Sequence, residues 1–446
     1  MTGSVYELLG IFSRSSSLRR CNSRRGWLKY ILLGVLLLFP YSGNAENLLT
    51  NPHFSTDLKG WYRLNTSVTP SWSSVDANGS ANSGSFLLTL PEPVASRYLP
   101  AVGQCVAATQ ATTYNLGARF RAPATPGAAV LGDVYVSWYS DEGCVTPISG
   151  SPTLSLTGPD DIWVSGTLQV TSPPGTVSAL YIVRAAASQV ASSFQAYFDD
   201  LLMAVSSPVT LTIPVSASIH GRNGTFFHTD LWLQNCSYSF PLSVSLRHRC
   251  LTGQNCSSAT GEITLAPRQT KLSEDVISLL FGDAETAGPI ELTYDSSYGH
   301  VVATSRLYTA STPSGTYGTT IPATPASEAR TRSLFLSLGD GDGKLASGVR
   351  TNAGAYNPGP VAASVTFTLY AGDGSVIGSP YTSTWQPNEA IQLNDVFGYV
   401  GAGGKITKNV TLVVTSTLPV FSYVTVVDNQ SGDSAFLLSM NEEIAP

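Results

Sequence analysis

The residues of this sequence that could do chemistry are aromatic side chains on short alternating segments between positions 114 and 198. Successive side chains of a β-strand point to opposite faces, so alternating apolar residues predict an inward face and leave the residues between them outward. Aromatic rings on an outward face suit stacking against the apolar C–H faces of sugars, and exposed apolar patches commonly mark contact surfaces. We therefore predict a ligand-binding face made by these residues: Tyr135, Tyr139, Trp163, Tyr181, Tyr197 and Arg119.

The same alternation predicts which side chains lie inward, among them Ile162, Leu180 and Ile182. Other interpretations of the rings stay open. Loops could cover them, or the next domain could pack against them. Neighbouring segments could also belong to opposite sheets of a sandwich, which would divide the predicted face into two.

No catalytic motif accompanies these rings. The sequence has no Gly-x-Ser-x-Gly elbow, no His-Glu-x-x-His helix and no phosphate-binding glycine loop. The five histidines are scattered, and none lies at metal-ligand spacing from a second histidine and a carboxylate. We therefore expect a protein that is not an enzyme, although a Ser/His/Asp triad assembled from distant segments stays open.

Asp199 and Asp200 are adjacent at the end of the last alternating segment. Adjacent strand residues alternate faces, so this pair is not expected to flank a glycosidic bond as the two carboxylates of a glycosidase do. Hydrogen bonding at a strand edge or loop is the first interpretation. The second is that Asp200 binds a structural calcium ion, which would be the protein's only cofactor.

The first 45 residues have the pattern of a signal peptide. Basic residues precede the apolar run 31–39, Pro40 ends it, and the small residues Gly43-Asn44-Ala45 follow. The run is too short to span a bilayer, which takes roughly 20 apolar residues. We expect cleavage of 1–45 and a mature chain from about Glu46, secreted or extracytoplasmic at the cell surface or in the periplasm, with an uncleaved anchor as the alternative.

The composition excludes several classes of protein. Charged residues are 12 % of the chain and the net charge is −6, which disfavours a nucleic-acid partner because such proteins carry basic patches. Hydrophobic residues at 43 % argue against disorder. Short apolar runs separated by glycine, proline and aspartate favour an all-β fold.

Five of the six cysteines follow the signal peptide, and export makes disulfides the expected state. Proximity along the chain pairs Cys105 with Cys144 and Cys250 with Cys256. Cys236 is then predicted to be a buried free thiol. Four paired cysteines allow three connectivities, so proximity alone supports this assignment.

The mature chain divides into three predicted units. Alternating segments between 46 and 205 indicate a β-sandwich. The remainder is an internal repeat, 206–326 and 327–446, in which 229–235 corresponds to 351–357, 265–269 to 385–389, and 302–308 to 421–427. Residues 272–281 and 393–400 are each predicted to form a short helical turn that crosses between two sheets.

The N-terminal unit resembles the jelly-roll, galactose-binding-like carbohydrate-binding modules of bacterial polysaccharide-degrading enzymes. The residues that carry the resemblance are Asn47-Leu-Leu-Thr-Asn51 with Phe54, Gly60-Trp61, Ser83-Gly-Ser85 and Phe198-Asp-Asp-Leu201. Such modules usually have an acidic residue after the phenylalanine, where this chain has Ser55, and that departure weakens the calcium site the resemblance implies. The two repeats resemble tandem immunoglobulin-like units of exported bacterial proteins, of about 100 residues each.

Together these patterns predict an exported, non-catalytic protein whose jelly-roll β-sandwich binds a polysaccharide or glycan and is displayed on two immunoglobulin-like β-sandwich repeats. The alternative is a structural or adhesive surface protein that contacts other proteins and has no sugar ligand. In either case Phe54 and Trp61 are expected to anchor the first loop in the core rather than to touch a ligand.

Overall fold

The computed structural model describes residues 46–66, 68–90, 99–124, 129–187, 194–221, 224–257, 259–310, 315–340, 348–403 and 407–440. The predicted signal peptide 1–45 lies outside these residues. The described chain is nearly all strand, which confirms the all-β prediction. Its short helices are α1 (Val276–Phe281), α2 (Val396–Tyr399) and a 3-10 turn at Ala326–Glu328. Among the described residues, no helix has the length and apolar character needed to cross a membrane.

The first sandwich consists of two facing sheets, as predicted from the alternating segments. Its strands are β1 (Tyr62–Arg63), β2 (Thr69–Ser73), β3 (Ser85–Leu90), β4 (Leu99–Ala107), β5 (Thr113–Arg121), β6 (Val130–Tyr139), β7 (Pro147–Gly150), β8 (Leu154–Leu156), β9 (Val164–Thr171), β10 (Ser178–Ala187) and β11 (Phe194–Val205). Sheet 1 has the order β1-β4-β10-β6-β7, with β8 beside β6, and sheet 2 has the order β2-β3-β11-β5-β9. Neighbours within each sheet are antiparallel.

The opening segment of the first sandwich lies beside its last strand. Leu48 N donates to Met203 O at 2.8 Å, and the Asn47 side chain donates to Leu201 O at 2.8 Å. Phe54 is fully buried and its ring centroid lies 5.6 Å from that of Trp61. Burial of paired rings is a large apolar contribution to a small core. The anchoring role predicted for Phe54 and Trp61 is therefore confirmed.

The remaining strands form two more sheet pairs, which we call the second and third sandwiches. The second has β12 (Pro208–His220), β13 (Phe226–Asn235), β14 (Leu242–His248), β15 (Thr260–Leu265), β16 (Thr270–Ser273), β17 (Thr286–Asp295), β18 (Val301–Ala310), β19 (Thr316–Pro322) and β20 (Thr324–Pro325). The third has β21 (Arg330–Asp340), β22 (Val349–Tyr356), β23 (Ala363–Tyr370), β24 (Val376–Trp385), β25 (Ala390–Leu393), β26 (Thr407–Asp428) and β27 (Ser434–Leu438). The unit boundaries at 205/206 and 326/327 and the immunoglobulin-like topology remain predictions.

A long strand passes between the two sheets of each repeat. In the second sandwich β12 pairs with β17 along most of its length and with β13 at its end. In the third, β26 pairs with β23 and β21 in its first part and with β22 and β27 in its second. Such strands turn a corner between two packed sheets and hold both in one unit.

A buried asparagine makes the same contacts in both repeats. Asn235 Nδ2 donates to three carbonyl oxygens, those of Phe240, Leu265 and Ala266, at 2.9, 3.2 and 3.2 Å. Asn357 Nδ2 donates likewise to those of Val361, Trp385 and Gln386, at 2.9, 3.2 and 3.1 Å. Both asparagines are fully buried, so each satisfies loop carbonyls that water does not reach. The repeat seen in the sequence is thus also a repeat of structure.

The two predicted helical turns are present. α1 follows β16 and α2 follows β25, and each is preceded by an aspartate with positive φ, 38° at Asp275 and 68° at Asp395. The backbone N–H of Asp275 donates to Asp230 Oδ1 at 3.0 Å, and that of Asp395 donates to Asn352 Oδ1 at 3.1 Å. The second strand of each repeat, β13 or β22, therefore fixes the start of the helix.

The cysteine predictions are partly right. Disulfides join Cys105 to Cys144 and Cys250 to Cys256, as proximity predicted. The prediction of a free thiol at Cys236 is wrong, because Cys236 is disulfide-bonded to a partner outside the described residues. Sequence proximity could not find that pairing because it considered only cysteines within one predicted unit.

Candidate functional site

The predicted binding face is divided between two sheets. Tyr135 and Tyr139 belong to β6 of sheet 1, whereas Arg119 and Tyr197 belong to β5 and β11 of sheet 2. Trp163 immediately precedes β9, also in sheet 2. The two groups point away from each other, because each lies on the outer face of its own sheet. The open alternative that opposite sheets would divide the set is therefore the correct one.

Tyr181 does not belong to either outer face. Its side chain is fully buried between the sheets, and its hydroxyl donates to Gly117 O at 2.8 Å. The Trp61 ring packs edge-on against it with centroids 6.0 Å apart. The prediction that Tyr181 points outward is wrong. Strand β10 has apolar residues on both faces, so the sequence pattern does not show which of its residues point outward.

Three inward predictions fail for related reasons. Leu180 and Ile182 lie on the outer side of β10 and are still only 8 % and 5 % exposed. Ile162 is 54 % exposed, because β9 begins two residues later at Val164 and the turn before it does not continue the alternation. Further along the same segment, Val164 packs against the core and Val170 is buried in it.

The outer face of sheet 1 carries tyrosines on both sides of an apolar floor. Across the sheet, Tyr62 is opposite Gly103, Gly103 is opposite Ile182, and Ile182 is opposite Tyr135. Directly opposed residues share one face, so these four positions form one row with rings at its ends. Tyr139 lies on the same face of β6 as Tyr135, four residues along. We call this surface the sheet-1 face.

The glycine in this row keeps the floor low. A side chain at Gly103 would come within 2.9 Å of Leu180 Cδ1 and 3.0 Å of Leu64 Cδ1. Any larger residue would therefore push against the floor or stand above it. Beside Gly103, Leu180 and Ile182 are only 8 % and 5 % exposed, so the rings of Tyr62 and Tyr135 supply most of the accessible apolar surface of this row. That arrangement suits a flat apolar ligand face.

Partial burial changes the chemistry of the tyrosine hydroxyls. The pKa of Tyr62 is raised, first by partial burial and then by the neighbouring Tyr139. The pKa of Tyr135 is also raised, mainly by burial. Tyr62 is nevertheless 43 % exposed, and the other two are half-buried. The hydroxyls of Tyr62 and Tyr135 therefore stay protonated near neutral pH and can both donate and accept hydrogen bonds.

A fixed ion pair lies beside these tyrosines. Arg184 Nε donates to Asp133 Oδ2 at 3.0 Å, and the Ser155 hydroxyl donates to Asp133 Oδ1 at 2.6 Å. The guanidinium carbon of Arg184 lies 4.8 Å from the centroid of the Tyr135 ring. Asp133 is buried, so the pair is held in one geometry and the arginine presents a planar cation at the surface.

The outer face of sheet 2 is divided into an open half and a covered half. In the open half, Arg119 lies over the Trp163 ring at 5.9 Å and Arg121 over the Tyr197 ring at 5.8 Å. The two rings are 6.5 Å apart and nearly perpendicular, and Arg121 also pairs with Asp161 at 2.6 Å. Arg121 is paired with Asp161, which leaves fewer of its donors for a ligand.

The covered half of sheet 2 lies against the second sandwich. Phe240 packs on Leu202 and Ala204, and a side chain at Gly117 would come within 2.7 Å of Phe240 Cε1. Asn115 Nδ2 donates to Ser297 Oγ at 2.6 Å across the same junction. Packing against the next domain, one of the alternatives left open by the sequence, therefore applies to this half of sheet 2.

Asp199 and Asp200 lie at the same junction and do not alternate as strand residues. β11 has a register shift after Asp199, and Asp200 has a φ of 47°. Burial and the charge of Asp200 raise the pKa of Asp199 to about 8. Burial opposes ionisation of Asp200 too, but hydrogen bonds from His53, Ser239 and other neighbours outweigh it and lower its pKa. The pair therefore shares a single negative charge at neutral pH.

The groups around Asp200 donate hydrogen bonds rather than offer metal ligands. Ser239 Oγ and Asn78 Nδ2 donate to Asp200 Oδ2 at 2.6 and 2.9 Å, and His53 Nδ1 lies 2.6 Å from Oδ1. The Arg119 guanidinium is 3.6 Å away. Calcium takes oxygen ligands and competes poorly with a nearby cation. These residues do not fit a calcium ion as they are arranged, and the calcium prediction remains untested.

Sequence reasoning missed three residues of the two faces. Tyr62 follows Trp61 directly, so its outward position could have been inferred once Trp61 was assigned to the core. Arg184 lies on β10, whose phase was misread along with that of Tyr181. Arg121 lies two residues after Arg119 on the same strand, and the alternation rule already predicts that it shares the Arg119 face.

Comparison with solved structures gives matches to carbohydrate-binding modules. One is the "Family 16 Carbohydrate Binding Module-2", at 23 % identity and a TM-score of 0.25, covering 35 % of this chain and 99 % of that one. Another is the tandem CBM22-1–CBM22-2 domain of Paenibacillus barcinonensis Xyn10C, at 12 % identity and a TM-score of 0.27, covering 89 % of this chain and 98 % of that one. Both of these solved structures are carbohydrate-binding modules.

A further match is the enzymatically active domain of tailspike protein 4 of bacteriophage CBA120, at 16 % identity and a TM-score of 0.28. It covers 36 % of this chain but 21 % of that one, so the present chain spans about a fifth of the tailspike chain. The sequence matches no protein-family model and no curated protein. Because every TM-score is below 0.5, the account of the fold and the site rests on the strands and contacts described above.

Proposed function

We propose that this protein is a non-catalytic glycan-binding protein that holds a polysaccharide on the sheet-1 face. One observation carries the proposal: Tyr62 and Tyr135 lie at the two ends of a row whose floor is Gly103 and Ile182. A sugar ring has an apolar C–H face and a rim of hydroxyls. The tyrosine rings and the apolar residues beside them suit the C–H face of the sugar, and the tyrosine hydroxyls suit its rim of hydroxyls.

The polar end of the face supports orientation of the ligand. Asp133 fixes Arg184, so the guanidinium can donate to sugar hydroxyls without first losing side-chain freedom. Tyr139 lies further along β6 on the same face and extends the contact surface beyond Tyr135. Rigid aromatic side chains with polar tips give large contact area at low entropy cost, which favours binding.

The sheet-1 face is a better candidate than the outer face of sheet 2. Half of the sheet-2 face is covered by Phe240 and its neighbours. In its open half, Arg119 and Arg121 already pair with carboxylates and lie over Trp163 and Tyr197. Fewer hydrogen-bond donors are therefore available to a ligand on sheet 2, which makes that face a suitable control surface.

The test compares matched pairs of variants on the two faces. The full chain is run by affinity electrophoresis through gels that contain different polysaccharides. Tyr135→Ala with Tyr139→Ala should weaken retention about tenfold or more, since each well-placed ring contributes on the order of 1 kcal/mol. Trp163→Ala with Tyr197→Ala should leave retention unchanged, and thermal unfolding checks that both pairs fold.

Three outcomes are distinguished. Loss of retention with the sheet-1 pair alone supports the proposal. Loss with the sheet-2 pair alone moves the site to Trp163 and Tyr197. Absence of retention by every polysaccharide contradicts glycan binding, and crosslinks to surface proteins on intact cells would then support the structural or adhesive alternative.

The same proposal has two further parts: the protein is exported, and it has no catalytic activity. Turnover of a bound polysaccharide that persists through purification would contradict a non-catalytic role. The two described disulfides fit an oxidising compartment such as the cell surface or the periplasm. N-terminal sequencing of the mature protein tests cleavage near Glu46, because an intact Met1 would contradict it.

A further inference from the structure

The second sandwich carries a separate row of aromatic side chains on an outer sheet face. Strands β13 and β18 are antiparallel neighbours, with His228 opposite Tyr308, Asp230 opposite Arg306 and Trp232 opposite Thr304. The residues between them, including Leu231 and Leu233, are buried in the core. The outward set is therefore Phe226, His228, Asp230, Trp232, Thr304, Arg306 and Tyr308, which we call the second-sandwich face.

The rings of this face follow one another at contact distance. His220 at the end of β12 lies 4.7 Å from Phe226, Phe226 lies 4.7 Å from His228, and His228 lies 5.7 Å from Tyr308, between ring centroids. The guanidinium carbon of Arg306 lies 4.9 Å from the Tyr308 centroid. His220 is exposed and the other rings are half-buried, so the row is accessible from one side.

Carboxylates line the same row. His228 Nδ1 lies 3.3 Å from Asp275 Oδ2, and His220 pairs with Glu285. Asp230 Oδ1 accepts from the backbone N–H of Asp275 at 3.0 Å. Within the described chain, Asp275 Oδ1 has no hydrogen-bond partner although it is shielded from water. Among the described residues of the row, carboxylates therefore outnumber the one arginine, Arg306, and one carboxylate oxygen is unsatisfied.

The corresponding face of the third sandwich has different residues and a different role. By the repeat alignment, Asp230 corresponds to Asn352 and Trp232 to Gly354. Asn352 is buried, and Tyr423 packs in the core cluster of the second sandwich. A cavity of about 310 Å³ separates the rest of that face from the second sandwich.

At these two positions, the face that packs against a neighbouring sandwich has neither a charged residue nor a large ring. The second-sandwich face has both, Asp230 and Trp232. Large rings beside charged groups are typical of surfaces that contact a polar ligand, whereas buried interfaces between domains exclude unpaired charge. This contrast favours a hydrated ligand over a second protein domain as the occupant.

We propose that the second-sandwich face is a second glycan-binding site and that its ligand is a neutral polysaccharide. Rings from Phe226 to Tyr308 would stack against successive sugar faces, and Asp230 would accept hydrogen bonds from hydroxyls. The excess of carboxylates disfavours acidic polysaccharides, since like charges at close range repel. This site shares no residue with the sheet-1 face, so either can fail without the other.

The experiment measures retention of the full chain in gels with a neutral glucan, xylan or galactan, and with acidic polygalacturonate. Trp232→Ala with Tyr308→Ala should weaken retention by a neutral polysaccharide about tenfold, from the loss of two rings. Tyr238→Ala, an exposed ring outside the face, is the matched control and should leave retention unchanged. Asp230→Asn, the residue of the third sandwich, should give a smaller loss without loss of folding.

Combining Trp232→Ala and Tyr308→Ala with Tyr135→Ala and Tyr139→Ala distinguishes the contributions of the two sites to retention. If both sites bind one chain, the quadruple variant should lose more retention than either double variant, because two linked sites raise the effective affinity. Unchanged retention in the folded Trp232→Ala, Tyr308→Ala variant on all neutral polysaccharides overturns the proposal. Retention only by polygalacturonate also overturns it, as does a ring-dependent crosslink to a protein without any retention by polysaccharide.

Discussion

The guanidinium carbon of Arg184 lies 4.8 Å from the centroid of the Tyr135 ring, and the same side chain donates to the buried Asp133. A buried carboxylate thus fixes a cation over a half-exposed ring. The proposed ligand would meet the ring and the cation together. Sheet 2 contains a similar unit in Arg121, which lies over Tyr197 and pairs with Asp161.

Replacement of Arg184 should weaken glycan binding. Arg184→Lys keeps the charge but loses the planar fork, so we expect roughly a 3- to 10-fold loss of affinity for the retained polysaccharide. Arg121→Lys is the matched control on sheet 2 and should have no effect. Isothermal titration with the best polysaccharide or its oligosaccharide measures the difference, and equal losses in both variants would contradict a role specific to the sheet-1 face.

The disulfide between Cys105 and Cys144 should stabilise the first sandwich. It closes a loop of 39 residues beside the sheet-1 face. Its removal in Cys105→Ser with Cys144→Ser is expected to cost about 2–4 kcal/mol of unfolding free energy. Urea unfolding followed by tryptophan fluorescence measures the change. An unchanged free energy of unfolding would show that the strands hold the loop in place without the disulfide.

His248 should make stability fall at acidic pH. It is buried, with Nδ1 2.9 Å from Asp283 Oδ2, and burial lowers its pKa although Asp283 partly opposes that shift. Below about pH 6.5 the unfolded chain binds a proton that the folded chain does not, so unfolding becomes easier as pH falls. The slope contributed by this histidine approaches about 1.4 kcal/mol per pH unit.

Unfolding free energies of the parent chain and of His248→Gln, compared between pH 7.5 and pH 5, check this prediction. The variant should show a shallower decline with falling pH, even if it is less stable overall. An identical pH slope in parent and His248→Gln would contradict the assignment.

The two buried asparagines should have equivalent local effects. Asn235→Ala removes the donor for three loop carbonyls in the second sandwich, and Asn357→Ala does the same in the third. Buried carbonyls without a donor cost about 1–3 kcal/mol per site. Hydrogen–deuterium exchange should quicken around β13 and β14 in the first variant and around β22 and β23 in the second. Ser149→Ala, on an exposed strand, is the control.

The sequence by itself determined the class of fold and much of the local structure. Alternation placed Arg119 and Tyr197 outward, because those strands have one polar face. The repeat and its two helical turns were visible as matched segments. Two disulfides followed from proximity because their cysteines lie close in the sequence as well as in space.

The tertiary structure decided which of these residues share a surface. Strand order put Tyr135 and Tyr197 on opposite sheets, and burial on both sides of β10 turned Tyr181 into a core residue. The second-sandwich face depends on the register that sets His228 against Tyr308. Alternation shows which side chains of a strand point inward only when one face of the strand is polar. It carries no information about which strands become neighbours.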